Sequence, residues 1–237
     1  MEISIVIPAY NEEKRIESTL VKIIDYCTKN FDNYEIIVVD DGSKDKTIEI
    51  ISNFDIKLIK NEFNVGKGRS VKRGLFEAKY NFVLFSDADL ATPIEELDKM
   101  LEYTNDYDII IASRNLEGSR KEVKQPFYRE LMGKSFPFFV NLLVLRGIKD
   151  TQCGFKLFRK DCISDIFSLQ SLDRWAFDVE VLFIAQKLGY KIKEVPVVWI
   201  DKEGSKLNPV KDAYSMFRDL LKIRSNSFSG KYDKKDS

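Results

Sequence analysis

Two carboxylates, one residue apart, are the side chains of this sequence best placed to do chemistry. Asp87 and Asp89 follow the apolar run at residues 82–85, whose length is typical of a buried strand. In an open α/β sheet, ligands bind just beyond the carboxyl ends of the strands. Carboxylate oxygens at that place suit a Mg²⁺ or Mn²⁺ ion that keeps coordination positions open for phosphate oxygens. A solvated turn after a strand is the alternative, and this motif alone leaves both interpretations open.

The basic segment at residues 64–74 is a candidate anion site, because glycines and cations there open a predicted helix. Backbone N–H groups at the start of a helix, together with lysine or arginine side chains, bind anions such as phosphate. The glycine spacing differs from that of a P-loop or a dinucleotide-binding fingerprint. A basic turn followed by a solvated helix face is the alternative interpretation.

The elements that must position these groups are alternating strands and helices. Two earlier β-branched runs, at residues 3–7 and 35–39, also end in polar loops, which contain Tyr10, Glu12 and Asp41. Helical patterns separate the runs, at residues 13–26 and 45–54. Strands that alternate with helices predict βαβ units and a parallel sheet. The polar loops then emerge at one edge of that sheet and can share one ligand.

The second half of the sequence combines cations with apolar segments. A fourth apolar run, at residues 109–111, leads into Arg114, and the most apolar stretch, residues 136–145, lies between Lys134 and Arg146. Cations beside an amphipathic segment are typical of affinity for a membrane surface. A stretch of this length is too short to span a bilayer and is equally typical of a core helix. Both interpretations therefore stay open.

Two further helices are predicted in the second half. The first covers residues 174–187 and carries Asp178. The second, at residues 209–224, is amphipathic and basic, and it packs on the sheet or lies on a membrane.

Taken together, the motifs resemble family 2 glycosyltransferases of the GT-A fold. The motifs on the donor side are residues 8–12, 39–43, 64–68 and 87–89. Three segments of the second half resemble the dolichyl-phosphate glucosyltransferase branch of this family: residues 150–158, 174–180 and 199–207. Dolichyl-phosphate mannose synthases are the nearest relatives of that branch. The likeness extends over residues 1–225. It implies an α/β, Rossmann-like GT-A fold with a mostly parallel central sheet flanked by helices.

The resemblance also implies a donor site. It assigns the nucleotide sugar to Pro8, Tyr10, Glu12, Asp41, Lys67, Asp87 and Asp89. Within that set, Lys67 faces the nucleotide, and Asp89, with Asp87 beside it, holds Mg²⁺ or Mn²⁺. Relatives often carry a glutamine ligand two residues after the second aspartate, where this chain has Ala91. Two or fewer protein ligands fit a labile Mg²⁺ site and leave the identity of the metal open.

For the acceptor, the resemblance implies that Arg114, Arg129 and Ser205 bind the phosphate of a polyprenyl lipid. It places Asp178 and Lys206 at the reaction centre. Lys206 would stabilise the charge that develops on the leaving group. Many relatives keep a general base at the position of Asp178, yet a lipid phosphate is already ionised at neutral pH. Whether Asp178 acts as a base or orients the sugar therefore stays open.

The composition limits the function classes. Lys and Arg number 38, as do Asp and Glu, so the formal net charge is zero, which argues against nucleic acid as a partner. The chain has no histidine and three unpatterned cysteines, which excludes histidine bases and disfavours zinc sites. The length and the lack of a linker predict one domain at residues 1–228, with a nucleotide-sugar half at 1–115, an acceptor half at 116–228 and a flexible tail at 229–237.

These expectations describe an inverting enzyme that moves a hexose to dolichyl or another polyprenyl phosphate, giving a β-linked lipid-phosphate sugar for protein glycosylation. Glucose from UDP-glucose is the leading donor, with UDP-N-acetylglucosamine and GDP-mannose as alternatives. The alternative outside the enzymes is a catalytically inactive nucleotide-binding protein or a peripheral membrane adaptor. No apolar run is long enough to span a bilayer. The expected location is the cytoplasm, peripherally on the cytoplasmic face of the membrane, and the oligomeric state is not predicted.

Overall fold

The structure is a computed structural model that describes residues 1–121, 140–141, 143–202 and 209–234, with side chains described from residue 215 in the last range. The strands in these ranges are β1 (Glu2–Ala9), β2 (Asn33–Asp40), β3 (Lys57–Lys60), β4 (Phe82–Ser86), β5 (Ile109–Ser113), β6 (Arg120–Lys121), β7 (Phe155–Arg159), β8 (Ile192–Pro196) and β9 (Val198–Trp199). The helices are α1 (Ile16–Asn30), α2 (Thr47–Ile51), α3 (Lys67–Phe76), α4 (Leu97–Leu101), α5 (Lys160–Leu169), α6 (Phe177–Lys187) and α7 (Pro209–Phe228). A short 3-10 turn, Ile94–Glu96, leads into α4.

One seven-stranded sheet, in the order β3-β2-β1-β4-β7-β5-β8, organises the described residues. The block β3-β2-β1-β4 is parallel, and so is the pair β5-β8. Only β7 runs the other way among these strands, because it pairs antiparallel with both β4 and β5. The expected mostly parallel sheet is confirmed, and β6 and β9 form a separate parallel pair beside it.

The sheet is covered on both faces, as its continuous apolar strands require. Successive residues of β1 point to opposite faces, because the side-chain period of a strand is two. Ile5 and Ile7 lie in one hydrophobic cluster with Leu20 of α1. Val6 lies in the other cluster with Val71 of α3. The helices therefore flank a sheet whose two faces are each buried in a core.

Several element boundaries differ from the expected ones. Helix α1 begins at Ile16 rather than at residue 13, and α6 begins at Phe177 rather than at residue 174. Helix α2 is confined to Thr47–Ile51, and the Asp45 carboxylate caps its start by accepting the Thr47 N–H at 3.0 Å. Strands β3, β7 and β8 were not predicted. In β7, Lys156 interrupts an apolar run, which hides the pattern of a buried strand.

The described apolar residues of the stretch at 136–145 belong to the hydrophobic core or pack against it. Residues 136–139 and 142 lie outside the described ranges. Val140, Val144 and Leu145 are buried in the cluster that contains α3. In the described part of the chain, no helix is long and apolar enough to cross a membrane.

Within the predicted flexible tail at residues 229–237, the structure describes residues 229–234, and one of their side chains is buried in the core. Tyr232 is fully buried, and its ring meets that of Phe183 edge-on at 5.9 Å between centroids. Lys187 forms an ion pair with Asp233 at 2.6 Å. The charged composition of the tail concealed one aromatic anchor, and residues 235–237 lie outside the described ranges.

Candidate active site

The loops after β1 and β2 are joined at the carboxyl edge of the sheet, as the sequence predicts. The Asn11 N–H donates to Ser43 Oγ at 2.9 Å, and Asn11 Oδ1 accepts the Lys44 N–H at 2.8 Å. The Glu12 N–H donates to Thr47 Oγ1 at 2.7 Å. Asn11 adopts a left-handed φ of 52°, a conformation that asparagine tolerates better than most residues. The two loops therefore form one surface.

Asp41 shapes the loop that leads into α3. Its buried carboxylate accepts hydrogen bonds from the backbone N–H groups of Val65 and Gly66 at 2.9 and 3.0 Å. It also accepts one from the Asn61 side-chain amide at 2.9 Å. The other predicted nucleoside contacts are half-buried at the end of β1: Pro8, Tyr10 and Glu12. Contact between Asp41 and a nucleoside stays a prediction, while its role in the loop is observed.

The predicted anion site and the carboxylate pair meet in space. Lys67, the first residue of α3, places its Nζ 2.6 Å from Asp87 Oδ1. The same Nζ lies 5.3 Å from the ring centroid of Phe85 and 5.6 Å from that of Trp175. Burial alone would lower the pKa of Lys67, but Asp87, Asp178 and Asp89 together raise it above its ordinary value. Lys67 is therefore a cation held next to the carboxylates.

The charge of the Asp89 carboxylate is set by its burial and by three charged neighbours, Asp87, Arg15 and Lys67. Burial and the nearby Asp87 raise its pKa, against the lowering effects of Arg15 and Lys67. Arg15 Nη1 lies 3.9 Å from Asp89 Oδ2, and Arg15 also pairs with Glu12. Sequence reasoning missed Arg15, because its position just before α1 looks like an ordinary charged helix start. The side chains of Asp87 and Asp89 remain about 30% exposed, so a ligand can reach both.

A buried ion pair lies behind this surface. Asp178 and Lys156 are both nearly inaccessible, and Lys156 Nζ lies 2.5 Å from Asp178 Oδ1. The ammonium group also donates to the Cys153 carbonyl at 2.7 Å. Burial raises the pKa of Asp178, although Lys156 and Lys67 oppose that effect. Asp178 thus belongs to the same charge cluster as Lys67, whereas Lys156 was not predicted to take part.

Lys156 and Lys67 approach the same aromatic ring. Lys156 Nζ lies 5.7 Å from the centroid of Phe85, and Lys67 Nζ lies 5.3 Å from it. The ring of Phe85 also meets Phe177 edge-on at 6.0 Å. A signal for Lys156 was present in the sequence, since a lysine inside an apolar run needs a buried partner.

Gly154 leaves just enough room for the Asp87 carboxylate. The Asp87 N–H donates to the Gly154 carbonyl at 2.9 Å. A Cβ on Gly154 would lie 2.0 Å from Asp87 Oδ2, well inside any allowed contact. Together, Asp87, Gly154 and Trp199 line part of a small cleft at this edge of the sheet.

Replacing Gly154 with alanine should therefore disable the site more than it disturbs the fold. The φ of Gly154 is not in the left-handed region, so alanine is tolerated by the backbone. Its methyl group must displace the carboxylate that Lys67 holds. We expect turnover at this site to fall by about 100-fold, since a displacement of 1 Å can cost that much. Steady-state kinetics and a thermal melt measure the two effects.

A double-variant cycle separates this displacement from general damage. If Gly154→Ala acts through Asp87, the variant Asp87→Ala with Gly154→Ala should be no less active than Asp87→Ala alone. Additive losses would show that the methyl group acts elsewhere.

On the predicted acceptor side, Arg114 is held by a carboxylate. Its Nε and Nη2 donate to the two oxygens of buried Asp150 at 2.7 and 2.8 Å, and its backbone N–H adds a third bond at 2.8 Å. The guanidinium carbon lies 5.4 Å from the ring centroid of Trp199. Asp150 raises the pKa of Arg114, against the lowering effect of burial. Two donor positions of the guanidinium are thus occupied, and its position is fixed.

The remaining predicted site residues lie outside the described ranges: Arg129, Ser205 and Lys206. The described segment just before Ser205 and Lys206 is attached to the loop that carries Asp87 and Asp89, because the Ile200 N–H donates to the Ala91 carbonyl at 2.8 Å. Among the described residues, no group of three or more histidine, cysteine, aspartate or glutamate side chains could hold a metal ion. The carboxylate pair Asp87 and Asp89 is the candidate metal site that the sequence predicts.

Solved structures of similar shape share the fold. Mannosyl-3-phosphoglycerate synthase from Rubrobacter xylanophilus has a TM-score of 0.73 and 19% identity, covering 100% of this chain and 77% of its own. Glucosyl-3-phosphoglycerate synthase from Mycobacterium tuberculosis, in a complex with Mn²⁺, UDP and glucosyl-3-phosphoglycerate, has a TM-score of 0.67 and 20% identity, covering 100% and 81%. The expected GT-A fold is confirmed.

Similarity in sequence goes further. Dolichyl-phosphate beta-glucosyltransferase of Dictyostelium discoideum is 38% identical over 94% of this chain and 73% of its own length. The human protein of that name is 37% identical over 97% and 76%. The model of the family described as Glycosyl transferase family 2 matches residues 4–167. With the loop of Asp87 and Asp89 and the start of α3 both inside that match, the chain belongs to glycosyl transferase family 2.

Proposed function

We propose that this protein transfers glucose from UDP-glucose to dolichyl phosphate, with inversion at the anomeric carbon. The observation that carries the proposal is the contact between Lys67 and Asp87, which sets a cation and the Asp87–Asp89 pair at one edge of the sheet. Such an edge suits the diphosphate of a nucleotide sugar. The similarity to dolichyl-phosphate beta-glucosyltransferases supports the choice of sugar and acceptor.

The nucleoside would occupy the joined loops after β1 and β2. Tyr10 supplies an aromatic face for the base, and Glu12 supplies hydrogen-bond acceptors. By resemblance, Pro8 and Asp41 would also contact the nucleoside, and the Asp41 carboxylate fixes the nearby loop that leads into α3. Lys67 would face the diphosphate, where positive charge is needed.

The residues present fit a divalent cation. Asp87 and Asp89 offer hard oxygen ligands, and burial, with the neighbouring Asp87 charge, raises the pKa of Asp89, so a cation beside the pair would favour its ionised form. A Mg²⁺ or Mn²⁺ ion held by them would bind the diphosphate and stabilise the charge of the leaving group. The mycobacterial synthase of similar fold, solved with Mn²⁺ and UDP, is consistent with such an ion.

The reaction itself needs little acid–base chemistry. An oxygen of the lipid phosphate attacks the anomeric carbon as the bond from that carbon to the UDP oxygen breaks, and UDP leaves with the electron pair. Because the lipid phosphate is already ionised, no proton has to be removed. The ion pair with Lys156 instead supports a role for Asp178 in orienting the sugar.

The acceptor phosphate would lie near Arg114, whose guanidinium is fixed by Asp150 through two of its N–H donors within the described residues. Arginine matches phosphate oxygens with paired hydrogen bonds. By resemblance, Arg129 and Ser205 would complete this site and Lys206 would stabilise the departing diphosphate.

Peripheral contact with a membrane remains part of the proposal, because the acceptor is a lipid. On the described residues, α7 supports it best. Leu221 and Phe228 are exposed on this helix, 49% and 80% respectively, and the guanidinium carbon of Arg224 lies 4.9 Å from the centroid of the Phe228 ring. Apolar side chains with neighbouring cations are typical of binding at an anionic surface.

A donor panel tests the proposed function. The purified chain would receive UDP-glucose, UDP-N-acetylglucosamine or GDP-mannose with one short polyprenyl phosphate, in Mg²⁺, Mn²⁺ or EDTA. We expect lipid-linked glucose from UDP-glucose in the presence of metal and none in EDTA. Preferential transfer from either other donor would replace the assigned sugar. Binding of UDP without transfer from any donor would favour the inactive nucleotide-binding alternative.

A further inference from the structure

A buried carboxylate outside the reaction centre organises the loop that covers the start of α3. Glu180 is fully buried on α6. Its Oε2 accepts the backbone N–H groups of Ser171 and Leu172 at 3.0 and 2.7 Å. Its Oε1 accepts the Ser171 hydroxyl at 2.6 Å and the Tyr232 hydroxyl at 2.5 Å. A buried carboxylate needs several donors of this kind, and Tyr232 supplies one of them from a distant part of the chain.

The C-terminal segment is fixed to the same loop by a second side chain. Asn226, in α7, donates through Nδ2 to the Tyr232 hydroxyl at 3.0 Å and to Ser171 Oγ at 3.1 Å. The ion pair between Lys187 and Asp233 holds the segment against the far end of α6. The end of α7 and the residues after it therefore form one network with Glu180.

The loop in turn contacts the start of α3 directly. Gln170 Nε2 donates to the Gly68 carbonyl at 3.1 Å, and the Arg69 N–H donates to the Asp173 carbonyl at 3.3 Å. The loop passes so close to Gly66 that a Cβ there would lie 2.4 Å from the Asp173 oxygen. Trp175, further along the loop, faces the Lys67 ammonium. Displacement of the loop would therefore move the backbone and the cation of the anion site.

We propose that Glu180 and Tyr232 are positioning residues, which link the C-terminal segment to the anion-binding start of α3 and hold it ready for the donor diphosphate. The inference rests on the proposed function for the identity of the ligand, but the mechanical coupling does not depend on it. The hydrogen bonds run without interruption from Tyr232 through Glu180 and the loop to Gly68 and Arg69.

The variant Tyr232→Phe tests this coupling with one atom removed. The chain offers a matched control in Tyr26, whose hydroxyl donates to Asp98 at 2.6 Å in the hydrophobic cluster on the other face of the sheet. Tyr26→Phe removes the same kind of bond away from α3. Tyr26→Phe should lose less thermal stability than Tyr232→Phe, because Asp98 is exposed to water whereas Glu180 is fully buried.

Two measurements distinguish positioning from stability alone. Calorimetric titration with UDP and Mg²⁺ should show affinity reduced by about tenfold in Tyr232→Phe, the fold-change expected for one hydrogen bond to a charged group, and unchanged in Tyr26→Phe. Hydrogen exchange should accelerate at residues 66–70 and 171–175 in Tyr232→Phe only. Glu180→Gln should accelerate the same amides, because its amide group cannot accept every one of those donors.

Unchanged exchange at both segments in Tyr232→Phe would overturn the inference, as would equal effects of the two tyrosine variants on these amides. If the wild-type chain bound no UDP, the proposed function would fail, and hydrogen exchange would then decide the coupling by itself. Wild-type UDP affinity in Tyr232→Phe, despite faster exchange, would reject the role in donor binding.

Discussion

Replacing Asp89 with asparagine should lower sugar transfer by at least about 100-fold at saturating Mg²⁺ or Mn²⁺, without lowering the melting temperature. The loss follows because a divalent ion contributes several kcal/mol to stabilising a charged transition state. The stability should hold because burial and Asp87 already raise the pKa of this carboxylate, so its charge is costly to the folded protein. Steady-state rates, a thermal melt and the electron paramagnetic resonance signal of Mn²⁺ with UDP measure the three quantities.

Asp25→Asn is a matched control for the loss of one negative charge. Asp25 is exposed on α1 and pairs with Lys29 at the surface, so its replacement should leave activity and Mn²⁺ binding unchanged. Full activity of Asp89→Asn at saturating metal would rule out the metal role. A large loss of stability would show instead that Asp89 mainly supports the loop.

The parts of this site that sequence could predict are those encoded by local patterns. Apolar runs ending in polar residues located the strand ends that carry Asp41 and Asp87, and a glycine-rich basic segment located Lys67. Parallel strands bring such ends to one edge, so their meeting followed from topology. The contact between Lys67 and Asp87 is consistent with these local signals, although no local signal specified the pair itself.

The parts that sequence missed depend on pairs distant along the chain. Asp178 and Lys156 are 22 residues apart, and Tyr232 and Glu180 are 52 apart. Neither pair follows a helix or strand period, so even where the sequence signals a buried lysine, as at Lys156, no local pattern identifies its partner. The position of Lys156 in the sheet could not be predicted either. Its strand, β7, runs antiparallel between β4 and β5, and a βαβ pattern predicts only parallel neighbours.

Lys156→Met should destabilise the protein by about 3–5 kcal/mol, the usual cost of removing one partner from a buried ion pair. Methionine fills a similar volume, so the cost arises from the Asp178 carboxylate left buried without its cation. Chemical denaturation measures the change. Lys57→Met is the surface control, because the Lys57–Glu77 pair is about half exposed and should contribute little to stability.

The pH dependence of this variant identifies the charge as the cause. Without Lys156, burial should raise the pKa of Asp178 still further above its ordinary 3.8. The folded state then binds the proton more tightly than the unfolded state, so stability is greatest below about pH 4 and falls as pH rises through the folded pKa. Asp178→Leu added to Lys156→Met should restore stability, because an apolar pair replaces a buried charge, yet leave sugar transfer low if Asp178 orients the donor. A pH-independent loss in the single variant would point to packing, and recovered transfer in the double variant would remove Asp178 from the reaction centre.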